Sequence, residues 1–498
     1  MNYCDSLFYL SADTDKKEAF IEIDSGKTIN YKELRFRVRA FARFLRHSGI
    51  KSGDIIAIHL YNSIDAIIVH MGAQFIGAVS CWIDPLIQPK GVRYHINETH
   101  AKLFATHCKK EGIPEEIRKN TSVINETDLN IIYDTFSNDD EKEMPFIWKK
   151  DDVCYIYYTS GTTSEPKGVM LTQESHNNFY KITDLYWQPV DEHSRHIAYV
   201  PFSHGFGSIF LIPLTIRTKA QLYILRSFHP GKVSEAIDKY DITHIYGVPS
   251  HYHQLLRFEG YHKSLKKLKL AFCAASKLEL ELMEKWEKVT GILLNEGYGL
   301  IETDCGIVWR VGRKPLGTGH MGVCPDKSLI ELGILDSNNN PLPVGEVGEI
   351  AVRGASLMKG YLNKPEENKR VFVNGWFKTG DKGYISEDNQ LFMTGRIKDI
   401  INIAGIKISP FEVEAVLDKH DSVSQSVVVA VEDALYGEVV KAYVQKEPES
   451  TITERELIKY VAEHLMSFQV PKTIEFVDSF PLNNMGKIDR NKLRCINF

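Results

Sequence analysis

Residues 31–46 carry apolar positions at helical spacing on one face and lysine and arginine on the other, which predicts a basic amphipathic helix. A turn at Ser52-Gly53 leads into an apolar strand over 54–60. Residues 66–83 are uncharged over a membrane-like length. His70, Gly72, Gln74, Gly77 and Ser80 interrupt that run, and Asp65 and Asp84 bound it, so a buried helix turning into a buried strand is expected. The aromatic and β-branched run 153–158 reads as another buried strand. This alternation of helix and strand over the first two-thirds indicates a layered α/β domain. Beyond residue 330 the pattern shifts to short alternating strands, with hairpin connections at 336–341 and 386–389. It shifts again near Gly395-Arg396, to a compact α+β segment. There Ser409-Pro410-Phe411-Glu412 reads as a capping box with proline at the first helical position. Thr453 and Glu456 form a second box, opening a helix through Leu457, Val461 and Leu465. The expected fold class is α/β, with a large multi-subdomain α/β N-terminal domain (1–395) that includes a β-rich portion, and a small α+β C-terminal domain (396–498).

Composition removes several function classes. At 498 residues the length suggests about three domain-sized units. Lys+Arg 60 against Asp+Glu 65 gives a net charge of −5, so neither nucleic acid nor an anionic membrane surface is an expected partner. The run Lys263, Lys266, Lys267, Lys269 reads as a solvated helix end or loop. Eight cysteines without a CxxC pair fit free thiols in a reducing compartment. The N-terminus has no basic segment followed by an apolar core, so no signal peptide is expected and the localisation expected is cytoplasmic, without integral membrane association. His251 and His253 lack a third ligand and read as packed or solvated side chains.

The chemistry concentrates in the stretch Thr159-Ser160-Gly161-Thr162-Thr163-Ser164-Glu165-Pro166-Lys167-Gly168, which follows the strand at 153–158. Hydroxyls, turn backbone N–H groups and a lysine are phosphate-binding groups. The loop is not a Walker A sequence. Pro166 stands where that motif needs a glycine, and Gly168 replaces the hydroxyl that would ligate Mg²⁺.

The stretch resembles the phosphate loop of the adenylate-forming superfamily, which includes acyl-CoA synthetases, adenylation domains and beetle luciferases. Further motifs follow in the same order. Gly297-Tyr298-Gly299-Leu300-Ile301-Glu302 resembles the family's Y-G-x-T-E motif, which implies that Tyr298 and its backbone neighbours line the adenine site and that Glu302 binds magnesium. Asp381, in 375–381, matches the aspartate that accepts the ribose hydroxyls. Gly395-Arg396-Ile397-Lys398-Asp399 resembles the hinge motif, with Arg396 at ribose and phosphate and Lys398 at the pivot. Lys487, in 481–490, matches the lysine that bridges substrate carboxylate and α-phosphate. His204, in 201–207, matches the residue at the carboxylate pocket, and the aspartate that amino-acid-activating domains place there is missing. Ala275 and Ser276, in 273–278, match the loop between adenine and the acyl pocket, and Gly405 matches the glycine at the pantetheine channel. Pocket residues are expected within 199–208, 246–250 and 272–275.

The resemblance implies an ATP-dependent ligase of the acyl-CoA synthetase type. ATP and Mg²⁺ activate a small carboxylic acid as an acyl-adenylate, and a phosphopantetheine thiol, of coenzyme A or of an acyl carrier protein, then takes the acyl group. The C-terminal domain is mobile in this scheme, and its rotation about Lys398 withdraws Lys487 after adenylation. Ser164 in place of the usual glycine is a benign departure, since serine takes the turn if φ stays negative. Ile301 is the serious one, because the family's threonine there contacts the α-phosphate. Thr303 is the expected substitute donor, and a nucleotide-binding homologue with impaired catalysis is the alternative. Sequence leaves the acid and the oligomeric state open.

Overall fold

The structure is a computed structural model that describes residues 3–137, 143–159, 166–186, 190–403, 406–433, 436–484 and 486–494. These residues form four sheets. Asn30 opens the first long helix, Tyr31–His47, by accepting the backbone N–H of Glu33, and that helix buries Leu34, Val38, Phe41 and Leu45. It packs on Ile64–Phe75, the helix expected within 66–83, which is buried along its whole length and leads into the strand Val79–Trp82. Gly77 makes that turn at φ +80°, where a Cβ would lie 2.7 Å from the ring of Phe146.

Two largely parallel sheets make up the α/β part. One is ordered Gly360–Tyr361, Lys167–Thr172, Val153–Thr159, Val79–Trp82, Ile55–His59, Leu103–Thr106, Ser122–Asn125. The other runs Val308–Arg310, Leu294–Tyr298, Leu270–Ala274, His244–Gly247, Arg195–Ala198, Gln221–Ile224, Glu18–Glu22, Thr28–Asn30. Ligands of such sheets bind beyond the carboxyl ends of the strands. Ala275 and Gly299 follow directly on such ends, as does Ser250 three residues after Gly247.

The third sheet, His320–Val323, Gln390–Arg396, Trp376–Ile385, Gly348–Gly354 and Ile330–Leu335, is antiparallel along this order. It is the β-rich portion, and Ser386–Asn389 joins two of its strands as a tight connection. Gly380-Asp381 lies in mid-strand, with Gly380 at φ +76° where the register between Gly348–Gly354 and Trp376–Ile385 slips.

Residues from 401 onward build a separate sheet and core around Val413, Leu417, Val428, Val440, Leu457 and Val461. Thr453 and Glu456 form the expected capping box of Glu454–His464, and Leu465 stands just past its end. Ser409 behaves differently. Pro410 does open the helix Pro410–Leu417, but the Ser409 hydroxyl makes no cap and donates to the Thr394 carbonyl at 2.6 Å. It ties the small domain back to the strand carrying Arg396, a tertiary bond that displaces the local one. No helix among the described residues is long and apolar enough to cross a membrane. Cys81, Cys108, Cys154, Cys273, Cys305 and Cys324 are free thiols.

Candidate active site

Thr159 and Lys167, on either side of the phosphate stretch, are antiparallel strand partners. Ser160, Gly161, Thr162, Thr163 and Ser164 lie outside the described residues. Lys167 holds Glu367 at 2.5 Å, with its ammonium 5.1 Å from the centre of the Tyr361 ring. The Tyr361 hydroxyl donates to Glu302 at 2.8 Å. Thus Lys167 and Glu302, 135 positions apart, share one neighbour, on the edge strand Gly360–Tyr361 that pairs with Lys167–Thr172. Burial pushes the Glu302 carboxyl up, and the Tyr361 hydroxyl and Lys167 oppose it only in part. A buried oxygen donor short of positive charge suits a hard divalent cation such as Mg²⁺.

Tyr298 donates to Asp381 at 2.8 Å, and the other Asp381 oxygen receives Arg396 Nε at 3.1 Å. The last two are cross-strand partners. Burial raises Asp381, while Arg396 and Tyr298 pull it back. Gly297 and Gly299 are needed for space. A Cβ would lie 2.6 Å from Phe272 at the first and 2.4 Å from the Cys305 carbonyl at the second. Ala275 turns at φ +74°, with Ser276 next to it.

His204 precedes a π-helical turn, Phe206–Leu211, and its Nδ1 accepts the Phe206 N–H at 3.3 Å. Burial, with Lys487 nearby, lowers its pKa to about 3, so the imidazole is neutral. Ile301 is buried, and its Cδ1 would be 3.0 Å from a Cβ on Gly205. Thr303 does not replace the missing hydroxyl. Its side chain is fully buried, donates to the Leu300 carbonyl and accepts the Leu300 N–H, each at 3.0 Å. Behind His204, the rings of Phe206, Phe210, Tyr246 and Phe272 pack with centroids 5.7–6.4 Å apart.

The small domain closes over this site. Lys487 is part-buried, and desolvation and Arg396 lower its pKa to about 8, with Cys305 acting in the opposite sense. Its loop is seated on the large domain. The Gly486 carbonyl accepts the Ser250 hydroxyl, a Cβ on Gly486 would be 2.5 Å from His251 Nε2, and Asn484 donates to Asp84 at 3.0 Å. His251 itself is stacked on Phe228, a packed side chain as expected.

Sequence reasoning missed a second contact between the domains. Lys277, in the loop after Ala275, lies 3.4 Å from Glu414 and 3.9 Å from Asp418, two buried acids of the small domain. Next to it, Glu279 accepts Gln425 at 3.1 Å and lies 3.6 Å from His253. Only the basic or acidic residue type was visible in the chain; nothing local announced the partner. Lys398 is exposed, in the turn Ile397–Asp399, and Gly405 lies outside the described residues.

A lysine carried by a separately packed C-terminal segment and seated, through Gly486 and Ser250, on the large α/β part is the arrangement expected of an AMP-forming acid–thiol ligase. The chain belongs to the AMP-binding enzyme family: residues 10–362 match the AMP-binding enzyme domain and 412–487 the AMP-binding enzyme C-terminal domain. It is 31% identical to a long-chain-fatty-acid–CoA ligase of Bacillus subtilis (strain 168), over 94% of this chain and 90% of that one. It is 30% identical to 4-coumarate–CoA ligase 1 of Petroselinum crispum, over 96% and 91%. Among solved structures, ATP-bound MatB from Rhodopseudomonas palustris superposes with a TM-score of 0.88 at 26% identity, covering 99% of this chain and 98% of that one.

Proposed function

We infer that the protein joins a compact carboxylic acid to ATP, releasing pyrophosphate, and passes the resulting acyl-adenylate to the thiol of coenzyme A. The observation that carries this reading is the seating of the Lys487 loop on the large domain, where Ser250 donates to the Gly486 carbonyl and Asn484 to Asp84, and where Arg396 and Cys305 bear electrostatically on Lys487. There its ammonium offsets the repulsion between an incoming carboxylate and the α-phosphate, in a site already organised for that charge. Lys167 and the hairpin hold the β- and γ-phosphates, Tyr298 and Asp381 the nucleoside, and Arg396 the ribose and phosphate. Ser276 and Ala275 border the adenine. Glu302 would hold Mg²⁺, which supplies charge neutralisation for the departing pyrophosphate. ATP use is supported by the ATP-bound relative, and the acceptor by relatives that are named CoA ligases.

The small domain, bounded at 395/396, turns about Lys398 once the adenylate has formed. The turn withdraws Lys487 and brings the Gly405 face to the thiol, so that one site serves both half-reactions. His204 stays neutral and lines the carboxylate's approach. The packed rings of Phe206, Phe210, Tyr246 and Phe272 support a short or aromatic acid over a long chain, because an alkyl tail needs a channel through that cluster.

Acid-dependent ATP–pyrophosphate exchange across short, aromatic, medium and long-chain acids, followed by thioester detection with CoA, tests the reading. Exchange with short or aromatic acids and a CoA thioester product is expected. Absence of exchange with every acid would sink the ligase, and exchange with long-chain acids alone would refute the compact pocket.

A further inference from the structure

Outside the ligase site, the carboxyl ends of two adjacent parallel strands bring together three ligand-type side chains. His59 ends the strand Ile55–His59 and is registered opposite Thr106, the last residue of Leu103–Thr106; His107 and Cys108 follow. Nε2 or Nδ1 of each histidine and the Cys108 sulfur offer three donor atoms lying within 4.8 Å of one another.

The hydrogen bonds around the cluster orient it. His107 Nδ1 lies 3.1 Å from the His59 carbonyl. A carbonyl only accepts, so Nδ1 carries the proton and Nε2 is left as a lone pair. That Nε2 faces Cys108 Sγ at 3.6 Å. His59 Nδ1 contacts the Thr106 hydroxyl at 3.0 Å. His59 is 3% exposed, and its Nε2 is buried without a well-formed hydrogen bond. Histidines that bind zinc commonly tie the second nitrogen to a carbonyl or similar group, as His107 does here. Tetrahedral bonds of about 2.0–2.3 Å place ligand atoms about 3.3–3.8 Å apart, so the His107–Cys108 spacing already fits and the third ligand needs a small closure. His107 and Cys108 are half-buried, which gives an ion a path in.

We propose that His59, His107 and Cys108 form a binding site for a thiophilic divalent cation of the zinc type, with a fourth position open to water. Binding releases the Cys108 thiol proton to solvent and leaves a metal–thiolate bond. The ion clamps the ends of two strands in the sheet that carries the phosphate hairpin, and no step of the ligase reaction is assigned to it.

The test is metal titration of the full chain with Zn²⁺ and Co²⁺. One equivalent should bind, and the Co²⁺ form should show a near-ultraviolet thiolate-to-cobalt band with tetrahedral visible bands. Cys108→Ser should remove the charge-transfer band, and both Cys108→Ser and His107→Ala should weaken affinity at least about tenfold, converting about 1.4 kcal/mol or more. Zn²⁺ should also raise the melting temperature of the parent chain more than that of Cys108→Ser. Two results would overturn the site: binding that stays substoichiometric, or stoichiometric binding that neither substitution changes, since the ion would then sit elsewhere.

Discussion

Lys277 of the large domain places its ammonium 3.4 Å from Glu414 of the small one, and both side chains are largely removed from water. Burial alone would lower the Lys277 pKa, but Glu414 and Asp418 raise it, so the lysine stays charged. Burial drives Asp418 well above the usual carboxylate range, which marks how poorly that pocket tolerates an unpaired acid. Glu414 also holds Arg490 of its own domain at 2.6 Å, a pair that does not cross to the large domain. The Lys277 contact thus accompanies the arrangement in which the Lys487 loop is seated on Ser250 and Asp84.

Replacing Lys277 by Met should shift the small domain away from that arrangement. Breaking a buried pair costs up to about 3–5 kcal/mol, and the domain relieves part of this by swinging open. Adenylation should slow by roughly 10- to 100-fold. Thioester formation from supplied acyl-adenylate should hold or rise. Equal loss in both half-reactions would mean that Lys277 only supports the fold.

Ile301 offers a gain-of-function test. Its side chain occupies buried space beside Gly205, and Thr303 is fully engaged with Leu300, so the Thr303 hydroxyl does not replace the family's threonine. A restored hydrogen bond to a charged phosphate is worth about 1.5–3 kcal/mol. Ile301→Thr should raise exchange roughly 10- to 100-fold, with a loss of stability near 1 kcal/mol from the missing methyl. Unchanged exchange would show that the α-phosphate finds its donor elsewhere.

The pH profile should carry the signature of Lys487. Its pKa falls from 10.5 to about 8 through desolvation and Arg396. The protonated form serves adenylation, and kcat/KM reports the free enzyme. That parameter should be level below pH 8 and fall above it, while kcat, measured with anionic ATP bound, falls at higher pH. Because the folded-state value lies below the unfolded one, the unfolded chain holds more protons between about 8 and 10.5. The contribution of Lys487 to stability therefore improves as pH rises through that window. The loss of rate is thus not unfolding at this residue. A Lys487→Arg variant that retains the same basic limb would assign it to another group.

Much of this site was legible because its chemistry fixes residue types over short stretches. Lys167, the Tyr298 turn, Asp381 and Lys487 each sit in a local sequence pattern, and the structure links Lys167 to Glu302 through Tyr361 and Tyr298 to Arg396 through Asp381. What the chain concealed depends on distant partners. Tyr361 links Lys167 to Glu302 from a two-residue edge strand with no motif. Lys277 gains meaning only when Glu414 docks against it. Ser409 matched a capping box, yet its hydroxyl found a better partner in Thr394. Thr303 looked available as a donor until its own turn consumed it.

The most direct test of the account is Lys487→Ala measured in the two half-reactions separately. Acid-dependent ATP–pyrophosphate exchange should nearly vanish, while CoA thioester formation from supplied acyl-adenylate stays close to the parent rate. Comparable loss in both would contradict the assignment of Lys487 to adenylation, and with it the alternation of the small domain.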